Sequence, residues 1–322
     1  MPPLLRRFLL LCASIFAIVT FNFFLFHVIP GDPIRLIARS QKLSPEQVDA
    51  LRVQFGLDGS LLEQYWRYLT KLAHGDLGYS FSLKEPVGDI IGRALWNTVL
   101  LLTVSTCIVV AVGILIGVFA GARQGRKSDS GTVVGSLVLW SLPTFWVGIL
   151  LVFTFSAWFR VLPTSGITTP NAVYANSAVY WTDVARHLVL PTVTLAIVDI
   201  AFFIIITRTS VVEAMSEDYM LTARGKGLSQ RRMVWRHAFR NALLPVLTAS
   251  VLYISALVAG AIQVEVVFSW PGMGLLTYNS VLSRDYPVLE ACFLVTAVAV
   301  LVANFLADSV YRLVDPRVRA AA

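Results

Sequence analysis

Apolar runs long enough to cross a membrane alternate with polar connectors along this chain. The most polar internal connector, Arg208 to Asn241, carries seven Lys/Arg against three acids. Six apolar runs lie near Leu9–Ile29, Thr98–Ala120, Val133–Trp158, Leu188–Ile206, Leu243–Val264 and Val288–Ala307. A bilayer core of about 30 Å needs roughly 20 helical residues, so each run is sufficient. Lipid offers the backbone no partners, which leaves helices or a closed barrel. Continuous apolar runs, in place of alternating short ones, exclude the barrel. The pattern predicts an all-α integral membrane protein with six transmembrane helices.

Composition agrees, with 57% hydrophobic and 14% charged residues among 322. The first run follows Arg6-Arg7, as a signal peptide would. It is longer than a signal-peptide core and ends in Phe26-His27-Val28-Ile29-Pro30 without a small-x-small cleavage site, so it reads as a retained helix. The net charge of +7 sorts by connector and forms no single patch, which argues against nucleic acid as a partner. Lys and Arg number 15 in the N-terminus, the second and fourth connectors and the C-terminus. The third and fifth connectors hold only Arg160, Arg186 and Arg284. The positive-inside rule therefore puts both termini and the Arg208–Asn241 loop in the cytoplasm. The first connector, with eight basic and eight acidic residues, is too long to vote and lies outside.

That outer segment carries helix signals. Ser44-Pro45-Glu46-Gln47 supplies an N-cap, a proline at the first helical position and a capping-box glutamine. Val48, Leu51 and Phe55 follow on one face, with Gly56 as the stop. A second helix, about Leu61 to Leu72, puts Leu62, Tyr65, Leu69 and Leu72 on a stripe. The segment reads equally as a cap on the helix ends and as a docking surface for an external partner, and the two are compatible.

Catalytic chemistry is absent from the sequence. Gly121-Ala122-Arg123-Gln124-Gly125-Arg126-Lys127-Ser128 has Arg126 where a phosphate-binding loop needs glycine. His27, His74, His187 and His237 are scattered without metal-ligand spacing, so no metal site is expected. Cys12, Cys107 and Cys292 lie in apolar runs and read as small packing residues. Asp199 falls mid-way along the fourth run, where an acid costs about 2.5–3.5 kcal/mol on insertion scales. The thirteen Leu, Val, Ile and Phe residues of that run return roughly 5 kcal/mol. Asp199 is thus either a pathway carboxylate or a hydrogen-bonding partner of Ser/Thr on a neighbouring helix. Glu265 and Glu290, nearer run ends, read as interfacial.

Within the fourth connector, Met215–Met220 and Leu221–Arg224 favour helix, and Gly225 and Gly227 break it. A basic helix from about Ser229 to Arg240 follows and leads into Pro245. The glycine pair with Ala223 makes a small turn suited to a partner's groove. The competing reading is a basic helix resting on anionic lipid.

These residues resemble a known family. Asp218-Tyr219, Thr222-Ala223-Arg224-Gly225-Lys226-Gly227-Leu228 and His237-Ala238-Phe239-Arg240-Asn241-Ala242-Leu243-Leu244-Pro245 look like the coupling loop of ATP-binding-cassette importer permeases. The dipeptide/oligopeptide/nickel branch is the most similar. Further matches are Pro30-Gly31-Asp32-Pro33, Gly56-Leu57-Asp58 with Gln64-Tyr65, and Gly75-Asp76-Leu77-Gly78-Tyr79-Ser80. They continue with Pro143-Thr144-Phe145-Trp146-Val147-Gly148 and Leu162-Pro163-Thr164-Ser165-Gly166. The last are Phe268-Ser269-Trp270-Pro271-Gly272-Met273-Gly274, Arg284-Asp285-Tyr286-Pro287 and Asp315-Pro316-Arg317. Their order and spacing carry the resemblance nearly end to end. One departure is Leu221, six residues before Gly227, where the broader importer pattern has glutamate.

The resemblance implies the importer-permease fold in three parts. Residues 1–29 hold the cytoplasmic N-terminus and first helix, 30–95 an extracytoplasmic helical segment, and 96–322 the permease core with coupling loop 207–242. It implies a non-enzymatic inner-membrane subunit of a peptide importer. Expected partners are a second homologous permease, two ATPase subunits that bind ATP and Mg, and an extracytoplasmic binding protein. The ATPase-coupling residues would be Asp218, Tyr219, Thr222, Ala223, Arg224, Gly225, Lys226, Gly227 and Leu228, with Asp199 a possible pathway residue. Nickel chelates and glutathione-like peptides stay open as substrates. An ion-coupled secondary transporter is the alternative of another class, resting on Asp199 alone.

Overall fold

A computed structural model describes residues 3–28, 44–49 and 58–314. Among them every regular element is helical, and the sole β-bridge joins Tyr79 and Pro86. The helices are α1 (Pro3–Val28), α2 (Leu61–Ala73), α3 (Val87–Gly121), α4 (Lys127–Trp140), α5 (Thr144–Leu151), α6 (Ser177–Ser216), α7 (Asp218–Gly225), α8 (Phe239–Gly260), α9 (Ile262–Val267), α10 (Met273–Ser283) and α11 (Tyr286–Val314). Pro30-Gly31-Asp32-Pro33, Leu51, Phe55, Gly56, Leu57 and Asp315-Pro316-Arg317 lie outside the described residues.

Four helices are long and apolar enough to cross a membrane among the described residues: α1, α3, α6 and α11. The expected third span, Val133–Trp158, is not one helix. It divides into α4 and α5, whose axis is continued by wider π-type turns over Val152–Trp158, and the two halves meet at 94°. Pro143 explains the break: it has no N–H to continue the ladder and disfavours helix at Leu142 before it. The expected fifth span also stops early, at Gly260, and restarts after Ala261 as α9. The 40-residue α6 extends nine residues beyond Thr207, so Arg208–Ser216 is helix rather than connector.

The chain forms two compact units. The first comprises residues 1–97 and 272–301. Its core joins Val87, Ile90, Ile91 and Ala94 of α3 to Met273 of α10 and to Val288, Ala291 and Cys292 of α11. The expected cap at Ser44 forms, and the structure adds a second at Ser60. Ser44 and Gln47 exchange side-chain and backbone hydrogen bonds at 2.9 and 3.3 Å, and Ser60 and Glu63 do the same at the start of α2. The loop 79–86 is held by Asp285, whose buried carboxylate accepts from Ser80 Oγ at 2.5 Å, Phe81 N at 3.2 Å and Ser82 N at 3.0 Å.

The second unit comprises residues 98–271 and 302–322. Gly113, Gly117 and Gly121 recur every four residues along one face of α3, and α6 lies against them. A Cβ on Gly117 would sit 2.6 Å from Thr207 Cβ, and one on Gly113 would sit 2.5 Å from Phe203 Cβ. Small residues at this spacing let two helix backbones approach where no hydrophobic effect drives helices together. The main cluster of the unit gathers Leu101, Leu188, Leu195, Val264, Phe268 and Trp270.

Glu265 is 0% exposed and accepts from Thr98 Oγ1 at 2.6 Å. The sequence reads Glu265 only as a residue near a run end; the structure adds that its side chain is packed in the protein core. The break after Gly260 makes α9 a separate helix, on which Val264 and Glu265 are both buried.

Candidate functional site

Residues 217–238 form a compact helical corner. Glu217, in extended conformation, ends α6, and α7 starts at Asp218. After α7, Lys226 N donates to Thr222 O at 3.1 Å and Gly227 N to Arg224 O at 2.9 Å. Gly227 takes φ +71°, a left-handed value that glycine adopts without steric cost. The turn closes with Leu228 N donating to Ala223 O at 3.3 Å, and Gln230–Arg232 leads through π-type turns over Met233–Ala238 into α8. The expected basic helix is thus a lead-in to α8, which runs unbroken past Pro245.

The corner has an inner and an outer face. Met220, Ala223 and Met233 form a small buried cluster with Met215 and Leu228 packed against it. Ala223 was expected to face a partner's groove, but it points into this cluster, and its small size serves packing within the chain. Asp218, Tyr219, Thr222, Arg224, Gly225, Lys226 and Gly227 are exposed, and Leu221 is 64% exposed. An apolar side chain at that exposure, between a tyrosine and a threonine, makes the outer face a mixed surface rather than a purely cationic one.

The corner is tied to the rest of the second unit. Arg208 of α6 donates through Nε and Nη2 to the two carboxylate oxygens of Asp129 at 2.9 and 2.8 Å. Gly125 N adds a third bond, at 3.0 Å, and the Asp129 side chain is only 3% exposed. Gln230 Nε2 reaches Ala122 O at 3.4 Å, and Val234 packs with Val118 and Val211. The end of α3, the following turn and the start of α4 therefore hold both the last turns of α6, through Asp129, and the corner, through Ala122 and Val118. Nothing in the sequence singled out Asp129. The signal was available only as one acid opposite one basic residue, 79 positions apart.

Asp199 lies on α6 near Tyr253 of α8, whose hydroxyl donates to Oδ2 at 2.6 Å. Phe202 and Phe203 stack around the tyrosine ring. The partner is a tyrosine, not the serine or threonine expected. The structure does not bring Asp199 and the 218–228 corner together: Asp199 lies within α6, more than four turns before its end at Ser216, and the corner follows that end. Among the described residues no three His, Cys, Asp or Glu side chains gather as metal ligands.

Three stretches singled out in the sequence converge in the second unit. Gly166 N donates to Phe268 O at 2.8 Å, and Ser156 Oγ to Pro163 O at 3.1 Å. A Cβ on Gly148 would meet Phe268 and Val267 at 3.2 Å. The segments 143–148, 162–166 and 265–271 are thus one packing knot around Phe268 and Trp270.

A family model described as "Binding-protein-dependent transport system inner membrane component" matches residues 113–320. Its N-terminal companion, described as the N-terminal part of such a membrane component, matches residues 2–103. The chain belongs to this family. It is a multi-pass inner-membrane component of a transport system and not the ATPase. It is 34% identical over 332 residues to the dipeptide transport system permease protein DppB of Escherichia coli (strain K12), covering 98% of each chain. It is 35% identical over 316 residues to the oligopeptide transport system permease protein AppB of Bacillus subtilis (strain 168), again covering 98% of each. The di/tripeptide permease protein DppB of Pseudomonas aeruginosa (strain UCBPP-PA14) is 34% identical over 327 residues. Among solved structures, a chain of the methionine ABC transporter MetNI in an inward-facing crystal form matches with a TM-score of 0.55 at 15% identity. That match covers 70% of this chain and 96% of that one, and it establishes the permease fold of this membrane component.

Proposed function

We propose that this chain is the permease subunit of an ATP-driven importer of di- or oligopeptides. The observation that carries the reading is full-length similarity to permeases named for dipeptide and oligopeptide transport. In this reading the chain crosses the membrane six times, with the bent α4–α5 pair as one crossing and the 22-residue α8 as another. Both termini and the 217–238 corner face the cytoplasm, as the 15-to-3 distribution of basic residues suggests. A second, homologous permease completes the pathway. Two cytoplasmic ATPases bind ATP and Mg, and an extracytoplasmic binding protein delivers the peptide.

The outer face of α7 is the coupling surface. Its exposed Tyr219, Leu221 and Thr222 would enter a groove on the ATPase, while the inner face packs α7 on Met215 of α6 and Met233 of the turns that lead into α8. Closure of the ATPases then displaces a rigid corner, and the Asp129–Arg208 pair passes that displacement to the α3–α4 turn. The test is ATP hydrolysis by the reconstituted complex with its binding protein, challenged with dipeptides, longer peptides, glutathione and nickel chelates. Stimulation by peptides supports the reading. Stimulation by the nickel chelate alone overturns its substrate while leaving the transport role intact.

A further inference from the structure

The helix α2 lies in the connector that the sequence places wholly outside the membrane, yet it packs far down the side of α1. Tyr65 Oη and Thr20 Oγ1 are 2.8 Å apart. The Tyr65 ring lies 5.2 Å from Phe23 and stacks on Phe24 at 5.9 Å, and the Tyr68 ring lies 5.4 Å from Phe23. The apolar stretch of α1 is Phe8–Phe26. Thr20 sits six residues before its end, which at 1.5 Å per residue is roughly 9 Å inside the apolar layer. A helix whose tyrosine reaches that depth cannot ride above the headgroups.

The sequence of α2 divides into three flanks at 100° per residue. Tyr65 and Tyr68 form the flank against α1. Glu63, Arg67 and Lys71 form a polar flank, with Arg67 bonded to Asp58 at 2.6 Å. Leu62, Trp66 and Ala73 form the third, and it is exposed: Leu62 is 66% exposed and Trp66, whose ring touches only the edge of this stripe at Tyr65 among the described aromatic rings, 60%. On α1, Phe21 and Phe24 are exposed as well, at 66% and 45%.

We infer that α2 is an interfacial anchor: its Leu62–Trp66 flank is immersed in the acyl–headgroup boundary of the leaflet at the C-terminal end of α1, and its Glu63–Lys71 flank faces water. A tryptophan suits that boundary, with an apolar ring body and one N–H for the wet side. Phospholipid is the occupant because α2 packs on α1 through Tyr65 and Thr20, within the apolar stretch Phe8–Phe26. A soluble partner would have to reach below the headgroups to cover it. The inference rests on α1 crossing the membrane and not on the identity of the transported substrate.

The test uses the assembled transporter in phospholipid vesicles, with Cys12, Cys107 and Cys292 replaced by alanine. A nitroxide is attached at Leu62→Cys, Trp66→Cys, Glu63→Cys or Lys71→Cys in turn. Collision with oxygen, which concentrates in lipid, is compared with collision with a water-soluble nickel chelate. The oxygen-to-nickel ratio is expected to be several-fold higher at positions 62 and 66 than at 63 and 71. Equal ratios, or nickel access at 62 and 66 that falls when the binding protein is added, would overturn the inference, the second result in favour of a protein-docking face. A chain with native cysteines gives an independent reading. In vesicles of brominated lipid, a quenched component of tryptophan fluorescence is expected that Trp66→Phe removes. An unchanged quenched fraction in that variant counts against it.

Discussion

Ser80 and Asp285 stand 205 residues apart in the chain and meet through a 2.5 Å hydrogen bond, both at 1% exposure. One comes from the Gly75–Ser80 stretch and the other from Arg284–Pro287. Separately each is a weak sequence signal, and together they are a single clamp. Arg284 ends α10 in a left-handed conformation (φ 55°), and Asp285 follows directly in the turn to α11. Its carboxylate gathers one hydroxyl and two backbone N–H groups of the 79–86 loop.

Asp285→Ala leaves those donors without their carboxylate in a buried site. The expected loss is about 3 kcal/mol, because hydrogen bonds to a charged acceptor are worth more than neutral ones but do not add fully. Asp285→Asn keeps one acceptor oxygen and should lose less. Thermal inactivation of the detergent-solubilised complex measures both, and an Asp285→Ala complex as stable as the native one would rule out the clamp.

Gly117 and Gly131 are both helical glycines with opposite surroundings. A methyl on Gly117 would sit 2.8 Å from Ile204 O, a backbone atom that cannot swing away, whereas one on Gly131 meets nothing within 4 Å. Gly117→Ala should destabilise by about 1–3 kcal/mol, as overpacked sites do. Gly131→Ala should be neutral or slightly stabilising, since alanine is the better helix former. The yield of folded protein from membranes compares the two directly.

The Asp129–Arg208 pair is bidentate and its carboxylate is buried, so removing either partner strands the other. With Arg208 partly exposed (26%), Asp129→Ala and Arg208→Ala should each cost roughly 2–3 kcal/mol, below the range for fully buried pairs. The double variant should cost little more than either single one. Additive losses in that cycle would mean the two residues act independently. Coupled ATP hydrolysis in the Arg208→Ala complex should fall more than ATPase assembly does.

Gly225 and Gly227 separate docking from backbone strain. Gly227→Trp would force a side chain into φ +71°, so loss of transport there has two causes. Gly225 ends α7 with ordinary helical geometry and open space around it. Gly225→Trp should leave the chain inserted and folded while abolishing peptide transport and ATPase association. Normal transport by that variant would remove α7 as the coupling surface.

Asp199 offers the sharpest test against ion-coupled transport. Its carboxylate accepts from Tyr253, and asparagine can accept the same bond. Asp199→Asn should therefore retain substantial ATP-dependent uptake, including when the proton gradient is collapsed at constant ATP. Uptake by the chain alone in liposomes under an imposed pH gradient, lost in Asp199→Asn, would instead make this a secondary transporter.

Much of this protein was legible in one dimension. Apolar runs demanded by bilayer thickness located α1, α3, α6 and α11, because helix formation inside lipid depends on local composition alone. The capping box at Ser44 and the start of α2 were equally local, as was the turn at Gly227. The glycines at 113, 117 and 121 were visible as a spacing of four, but their meaning required knowing which helix faced them. Where two distant segments must meet, the sequence was silent. No local rule pairs Asp129 with Arg208, Ser80 with Asp285, or Thr98 with Glu265. The 94° bend at Pro143 and the break at Ala261 interrupt runs whose hydropathy suggested single spans, and Glu265, beyond that break, is core. Ala223 looked like a contact for a partner until packing placed it against Met220 and Met233. Helix existence depends on residues within a few turns of one another. Which side chains become neighbours depends on how helices cross, and only the tertiary structure decides that.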